Sequence, residues 1–374
     1  MFMLALPFLI WALLGAVVAW SSPNFAGIPW IIRIINLTIL VYVFLLAGAG
    51  IRLATDLRTI KRILIAFAIG AALEGIIILH DSMGMLGLGS VWFLDRAMYR
   101  LRGTFRASGQ LGQYGMAALF LCYAFAAWPG IKRGRRVAVY AVAAVGGLGT
   151  YYAARRSAAF CILVWVALLA VRSLTTKAGR RSIISIVVVV LVGVVVIWMS
   201  LGRAEFASWS VGQHEAITPS GLRTMYQEGG WFREQVRDGF RILSDHPVLG
   251  CGIGHAFLLT STGAELHNGF LALLVETGPI GAILVAIPLV VVLKSVWRVY
   301  RMSNGTPWRD FAERLALPFV AWIPFSIHNR FWRDRAFWIA VVVVWAMEAF
   351  LTQYHQRQQA MQYLEVDGQS DRAT

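Results

Sequence analysis

Two neighbouring polar residues, His267 and Asn268, open a long apolar stretch and are the first candidates for chemistry in this sequence. They begin HNGFLALLVETGPIG, which also contains Glu276, Gly278 and Gly281. A histidine at a water boundary can stay neutral and accept a proton, and an asparagine beside it supplies a neutral donor and acceptor. The pair is therefore a candidate for base catalysis at a membrane surface. A single histidine that only bonds a backbone carbonyl is the alternative interpretation.

Glu276 and the two glycines lie deeper in the same apolar stretch. Glu276 follows His267 by nine residues, which corresponds to about 13 Å along a helix. A carboxylate at such a depth in a membrane is costly and needs a partner or a proton. Gly278 and Gly281 permit a helix break or the close approach of another helix. We expect Glu276 to brace the helix behind the His-Asn pair and the glycines to shape it.

The composition indicates a membrane protein. Of the 374 residues, 58% are hydrophobic and 14% are charged, and the mean hydropathy is +0.65. An ordinary soluble domain is about 45–50% apolar and about 25% charged. The formal net charge of +15 is best explained by arginine-rich loops that face anionic lipid headgroups, together with an anionic substrate. No cluster of basic residues marks a soluble domain, so we expect no nucleic-acid partner.

The three cysteines and the beginning of the chain add two further expectations. Cys122 and Cys161 lie in apolar runs, and Cys251 stands alone in a polar region. This spacing indicates neither a disulfide framework nor a zinc site. The first apolar run begins at Met1 without a basic segment before it, which favours a retained membrane span over a cleaved signal peptide.

Apolar runs long enough to cross a membrane predict an all-α, polytopic protein with about ten transmembrane helices, within a range of 10–12. We expect a single transmembrane domain over residues 1–374. The candidate spans are 2–20, 28–50, 63–80, 111–128, 137–153, 157–172, 183–201, 267–293, 311–327 and 337–352.

Basic linkers between these spans predict the orientation. They are Arg52–Arg62, Lys132–Arg136, Arg172–Arg181 and Lys294–Arg301. Alternating spans place all four on one side, which the positive-inside rule assigns to the cytoplasm. Both termini then lie there, and the polar segment 353–374 is predicted to be a flexible cytoplasmic tail. The opposite side carries the long segment 203–266.

The loops on the outer side contain many arginines and no lysine. Arginine without lysine indicates planar, bidentate recognition of carboxylate or phosphate. Side chains that only reach for the phosphates of lipid headgroups are the alternative.

Within the long outer segment, WFREQVRDGFRIL predicts an amphipathic helix. Its apolar side is formed by residues at a spacing of four and their neighbours, namely Phe232, Val236, Phe240, Ile242 and Leu243, and Arg233, Arg237 and Arg241 form a cationic stripe. Such a helix tends to lie flat on a membrane surface. Pro247 is expected to end it, and the glycines of SDHPVLGCGIGHAF allow tight turns.

The arrangement His-Asn, nine residues, Gly, two residues, Gly resembles the signature of the O-antigen ligase family and its polymerase relatives. ILSDHPVLGCGIGHAF is similar to the family's His-Pro-Leu-x-Gly-x-Gly stretch, and LRGTFRASGQLGQYGMAALFL to its Gly-Thr-Phe segment. TYYAARRSAAF resembles the family's Ser-Arg-Ser/Gly turn, with Arg155 in the place of the usual serine. SGLRTMYQEGGWFRE resembles the region that contains the family's second arginine. The resemblance covers roughly residues 100–295.

This resemblance implies a fold, an activity and a set of residue roles. The fold is GT-C-like with one long periplasmic segment, and the protein lies in the bacterial inner membrane with its active site facing the periplasm. The reaction is an inverting, metal-independent transfer of a glycan from undecaprenyl diphosphate to an acceptor sugar such as lipid A–core. His267 is the implied base, and Arg156 and Arg223, with Arg155 as a substitute, are the implied diphosphate contacts. No cofactor and no metal are implied.

The sequence leaves several functions open. A polymerase of the same family uses the same donor but extends the chain on the lipid carrier. A flippase or another transporter of lipid-linked oligosaccharide would have charges along a path through many spans and repeat symmetry, whereas the polar residues here gather on one side. A binding or scaffold protein leaves the arginines on several outer loops harder to explain.

Overall fold

The computed structural model describes most of the expected helices. The residues described are 2–21, 56–85, 92–95, 100–101, 104, 108–152, 156–175, 230–253, 255–261, 266, 268–328 and 335–370.

The described part of the chain is helical apart from one pair of two-residue strands. The helices are α1 (Phe2–Ser21), α2 (Leu57–Met85), α3 (Ser108–Phe125), α4 (Arg133–Tyr152), α5 (Arg156–Thr175), α6 (Gly230–Asp245), α7 (Ala256–Leu259), α8 (Gly269–Met302), α9 (Arg309–His328) and α10 (Arg335–Ser370). Strands β1 (Leu94–Asp95) and β2 (Arg100–Leu101) pair antiparallel.

Among the described residues, three segments are long and apolar enough to cross a membrane: Leu57–Asp81, Gly269–Met302 and Ala336–Gln362. A helix satisfies its own backbone hydrogen bonds, which lipid cannot do. Of the ten predicted spans, 28–50 and 183–201 lie outside the described residues, and the other eight overlap helices. The number of spans and the GT-C-like arrangement stay predictions.

Small residues let α3 and α4 pack closely against each other. A Cβ atom on Gly115 would lie 2.5 Å from the carbonyl oxygen of Gly146, and one on Gly146 would lie 2.8 Å from Ala118 Cβ. Such sites bring helix backbones together where lipid gives little hydrophobic driving force. The Thr150 hydroxyl lies within the same contact, 3.3 Å from the carbonyl oxygen of Gly112.

A buried aromatic core joins α3, α5, α9 and α10. The ring centroids of Phe120 and Trp165 are 5.2 Å apart, and those of Trp322 and Phe337 are 5.4 Å apart in an edge-to-face arrangement. Phe120 also meets the Trp322 ring edge-on at 5.7 Å. Aromatic pairs prefer this geometry because the positive ring edge faces the negative ring surface.

Ion pairs and arginine contacts bring the basic linkers together at one end of the bundle, which we call the basic end. Arg172 of α5 pairs with Glu313 of α9, and Arg314 donates to the Tyr140 hydroxyl of α4 at 2.6 Å. Arg309 donates to the carbonyl oxygen of Tyr300 at the end of α8. The beginnings of α4 and α9 and the ends of α5 and α8 therefore share this end, as alternating spans predict. Its position in the cytoplasm stays a prediction.

Helix α2 runs parallel to α4, because Gly75 lies against Val145 and Gly149 against Ile78. The basic residues at the start of α2 therefore also belong to the basic end. Asp56 caps this helix by accepting from the Thr59 backbone amide at 2.6 Å, and this bond lowers the pKa of the exposed Asp56 carboxyl.

Helix α10 continues to Ser370 and so covers much of the segment 353–374. His355 lies 2.7 Å from the carbonyl oxygen of Met302, so this part of α10 packs beside the end of α8. The flexibility of the tail stays a prediction.

Candidate functional site at the start of helix α8

The opposite end of the bundle, which we call the loop end, contains a second small core. It joins α6, the turn after it, α7 and the first part of α8 through six buried residues: Ile242, Cys251, Ala256, Leu266, Ala272 and Val275. The His-Asn motif begins α8 at this core. This location makes the start of α8 the candidate site.

Asn268 is the N-cap of α8. Its side-chain oxygen accepts hydrogen bonds from the backbone amides of Phe270 at 3.1 Å and Leu271 at 3.0 Å. An N-cap side chain of this kind satisfies amides that have no partner inside the helix. Asn268 therefore fixes where α8 begins. His267 lies outside the described residues, but the residues on both of its sides are described.

Helix α8 is broken at Gly278, as the sequence allowed. Gly278 adopts φ 68° and ψ 176°, and Pro279, which follows it, has no backbone N–H. The carbonyl groups just before the break therefore lack the amide donors that they would have in an unbroken helix. They accept from elsewhere: Cys251 N donates to Val275 O at 2.9 Å, Gly252 N to Glu276 O at 3.0 Å, and Trp11 Nε1 to Thr277 O at 2.8 Å.

The turn after α6 and the broken part of α8 interlock through glycines. We call the contact of Val248–Gly252 with Val275–Gly278 the loop–helix clamp. A Cβ atom on Gly250 would lie 2.5 Å from Gly278 N, and one on Gly278 would lie 2.0 Å from Val248 O. Both glycines have positive φ, so a residue with a side chain could not adopt their backbone conformation without strain.

Gly281 and Glu276, the other two supporting residues, lie beside this clamp. A Cβ atom on Gly281 would lie 2.9 Å from Trp11 Cδ1, so this glycine permits the close approach of α1. The side chain of Glu276 is 0% exposed. The structure thus brings Asn268, Glu276, Gly278 and Gly281 together on the first half of α8.

Helix α6 lies across the first turn of α8, where Gly239 faces the Leu271 side chain. Its buried face consists of Gln235, Asp238, Gly239 and Ile242. The helix was expected from the sequence, and its predicted apolar side packs only in part. Ile242 is buried and Leu243 packs against the second core, whereas Phe240 is 58% exposed. Small and hydrogen-bonding residues pack here because the helices approach closely.

Asp238 and Arg241 connect α6 to the chain after α7. The Asp238 carboxylate accepts from Ser261 N and Ser261 Oγ, both at 2.7 Å. Arg241 lies 3.0 Å from the same carboxylate and donates to the carbonyl oxygen of Leu259 at 2.6 Å. Sequence reasoning assigned Arg241 only to a cationic surface stripe and gave Asp238 no role.

The structure tests the predicted arginines only in part. Helix α5 begins at Arg156, at the loop end, since Arg172 marks its other end. Arg155 and Arg223 lie outside the described residues. The convergence of the three arginines with His267 stays a prediction.

Two buried carboxylates on α2 accept hydrogen bonds from the chain between α2 and α3, which includes the Gly-Thr-Phe segment. Glu74 accepts from Thr104 N at 2.9 Å and from Thr104 Oγ1 at 2.7 Å. Asp81 accepts from the backbone amides of Trp92 and Phe93, each at 3.0 Å. Glu74 and Arg33 lie in neighbouring predicted spans, which favours a pair that neutralises both charges in the membrane. Arg33 lies outside the described residues, so this pair stays a prediction. The seven-residue spacing of the two acids, which puts them on one face of the helix, was the signal available.

Among the residues described, no group of three His, Cys, Asp or Glu side chains could hold a metal ion. No family model matches the chain, and a search of curated proteins finds no match. The interpretation of the site therefore depends on its motifs and contacts.

Proposed function

We propose that this protein is a membrane glycosyltransferase of the O-antigen ligase type, which transfers a glycan from undecaprenyl diphosphate to an acceptor sugar such as that of lipid A–core. The observation that carries the proposal is the loop–helix clamp. Two motifs that resemble the family, HPVLGCG and the His-Asn-to-glycine stretch, pack directly on each other, with hydrogen bonds from Cys251 and Gly252 to the broken helix. Motifs that serve one active site are expected to be neighbours in this way.

The proposed reaction is a single displacement at the anomeric carbon. The acceptor hydroxyl gives its proton to His267, its oxygen forms the new glycosidic bond, and the bond from the anomeric carbon to the diphosphate breaks. Attack from the side opposite the leaving group inverts the anomeric centre. The departing lipid diphosphate takes the bonding electrons.

Arginines supply the stabilisation that this leaving group needs. Negative charge grows on the diphosphate oxygens as the bond breaks, and fixed guanidinium groups stabilise it without a metal. In the proposal this is the role of Arg156 and Arg223, with Arg155 as a substitute. The membrane helices that are present agree with a lipid-linked donor, and the proposed site is at the periplasmic face of the bacterial inner membrane.

The proposal is tested with purified protein in proteoliposomes that contain an undecaprenyl-diphosphate-linked oligosaccharide and lipid A–core. We expect product formation to fall by about 10²- to 10⁴-fold in His267→Ala, since that is the usual contribution of a positioned base. His355→Ala, at the basic end, is the matched control and keeps its activity. Normal product formation by a folded His267→Ala variant removes the residue from the mechanism.

The product distinguishes the related functions in the same experiment. A glycan joined to lipid A–core identifies a ligase, whereas a longer lipid-linked chain identifies a polymerase. Movement of the intact donor across the bilayer without a new glycosidic bond identifies a transporter and contradicts the proposal. Mass spectrometry of the extracted lipids separates these outcomes.

A further inference from the structure

The segment that leads into the His-Asn motif is attached to the protein at its beginning by α6. Asp238 is 6% exposed and its carboxylate accepts two hydrogen bonds from Ser261, one from the backbone and one from the hydroxyl. Arg241 adds a bond to the carbonyl oxygen of Leu259 and pairs with the same carboxylate. Hydrogen bonds to an ionised carboxylate are shorter and stronger than neutral ones.

The same segment is attached at its end by the second core and by α8. Leu266 is 2% exposed and belongs to the second core. Asn268 caps α8 through two backbone amides. The chain from Ser261 to Asn268 therefore begins and ends on residues whose positions are fixed, and His267 stands between Leu266 and Asn268.

We infer that Asp238 is a positioning residue for His267, acting through Ser261, and this inference rests on the proposed function. Asp238 is not expected to touch substrate, since both of its oxygens are engaged by the protein. Its role is to hold one end of the short segment whose other end carries the base. The bond geometry explains why a carboxylate is buried on a helix that also has an exposed cationic side.

Asp238→Ala tests the inference, with Glu234→Ala as the matched control. Glu234 is an acid one turn earlier on the same helix, and it is exposed. We expect Asp238→Ala to lower kcat by about ten- to a hundred-fold, because a displacement of about 1 Å can cost a hundred-fold. KM for the lipid-linked donor should stay within about two-fold, since uniform binding is not removed. Glu234→Ala should change neither.

Two milder variants keep the inference testable when Asp238→Ala does not fold. Asp238→Asn keeps an acceptor oxygen for Ser261 and should restore part of kcat. Ser261→Ala loses the hydroxyl bond but keeps the backbone bond, so its kcat should fall less than that of Asp238→Ala. Asp238→Asn and Ser261→Ala should be non-additive when combined, because they share a contact. Full activity in both milder variants, or additive losses, overturns the inference.

Hydrogen exchange separates this inference from the proposed function. In Asp238→Ala the amides of residues 259–268 should exchange faster, whereas those of 292–302 in α8 should be unchanged. When His267→Ala is inactive but Asp238→Ala matches Glu234→Ala in kcat and in exchange, the positioning role is refuted and the proposed function stands. When His267→Ala is fully active, His267 is not the base, and the role of Asp238 in positioning it fails even where exchange shows that Asp238 holds the segment. The proposed function fails only when the unmodified protein forms no new glycosidic bond.

Discussion

Replacing Gly278 by alanine is the sharpest test of the loop–helix clamp, because two separate costs can be worked out from the structure. The first is conformational. Gly278 has φ 68° and ψ 176°, a region that is occupied essentially by glycine alone and costs another residue about 1–3 kcal/mol.

The second cost comes from packing. The new Cβ atom would lie 2.0 Å from Val248 O, whereas real Cβ contacts essentially never fall below 3.0 Å, so the turn and the helix must separate by about 1 Å. The bonds from Cys251 N and Gly252 N, now 2.9 and 3.0 Å, would then stretch beyond hydrogen-bond distance. Each contributes about 0.5–1.5 kcal/mol. We therefore expect Gly278→Ala to lower the free energy of unfolding by about 2–6 kcal/mol in total.

Gly130→Ala is the control that isolates the conformational cost. Gly130 also has positive φ, 74°, but a Cβ atom there would meet no atom within 4 Å. It should lose only about 1–2 kcal/mol. The free energy of unfolding is measured in mixed micelles by titration with a denaturing detergent, followed by tryptophan fluorescence. Equal losses for Gly278→Ala and Gly130→Ala would show that the clamp does not exist.

Two further substitutions probe the same region by the same titration. In Asn268→Ala the free energy of unfolding should fall by about 1 kcal/mol, because the first turn of α8 loses its cap. Asn268→Ser keeps a capping oxygen, so its loss should be much smaller. Equal losses in the two variants would rule out capping. Trp11→Phe removes the donor to the carbonyl oxygen of Thr277 and should lose about 1–3 kcal/mol, since a buried acceptor is left unsatisfied. Trp297→Phe is its control, because this ring is 59% exposed, and a comparable loss there would contradict the argument.

Hydrophobic patterning predicts the helices of this protein well and their contacts poorly. Apolar runs indicated helices because a membrane span must satisfy its own backbone, and the position of Gly278 indicated a possible break. The segment 353–374 is predicted to be a tail because it is polar, and the helix continues into it as far as Ser370. Its glutamines, with Ala360 and Met361, are good helix formers, so helical propensity indicates this extension.

The partners of polar groups were the part that the sequence could not supply. Glu74 holds Thr104, thirty residues later in the chain, and no spacing in the sequence indicates this contact. Asp238 received no role, because its value depends on Ser261, which a loop brings back to α6. Helical periodicity reports which side of a helix is buried, and it contains no information about which distant loop returns to that side.

The break in α8 also bears on how the protein is made. In the part of the chain that the structure describes, the carbonyl groups before the break accept from Trp11, Cys251 and Gly252, and all three donors precede Val275 in the chain. Synthesis proceeds from the N-terminus, so every donor is already present when the broken helix leaves the ribosome. A circularly permuted chain that began with α8 would have to hold these carbonyls in the bilayer until the rest of the protein arrived.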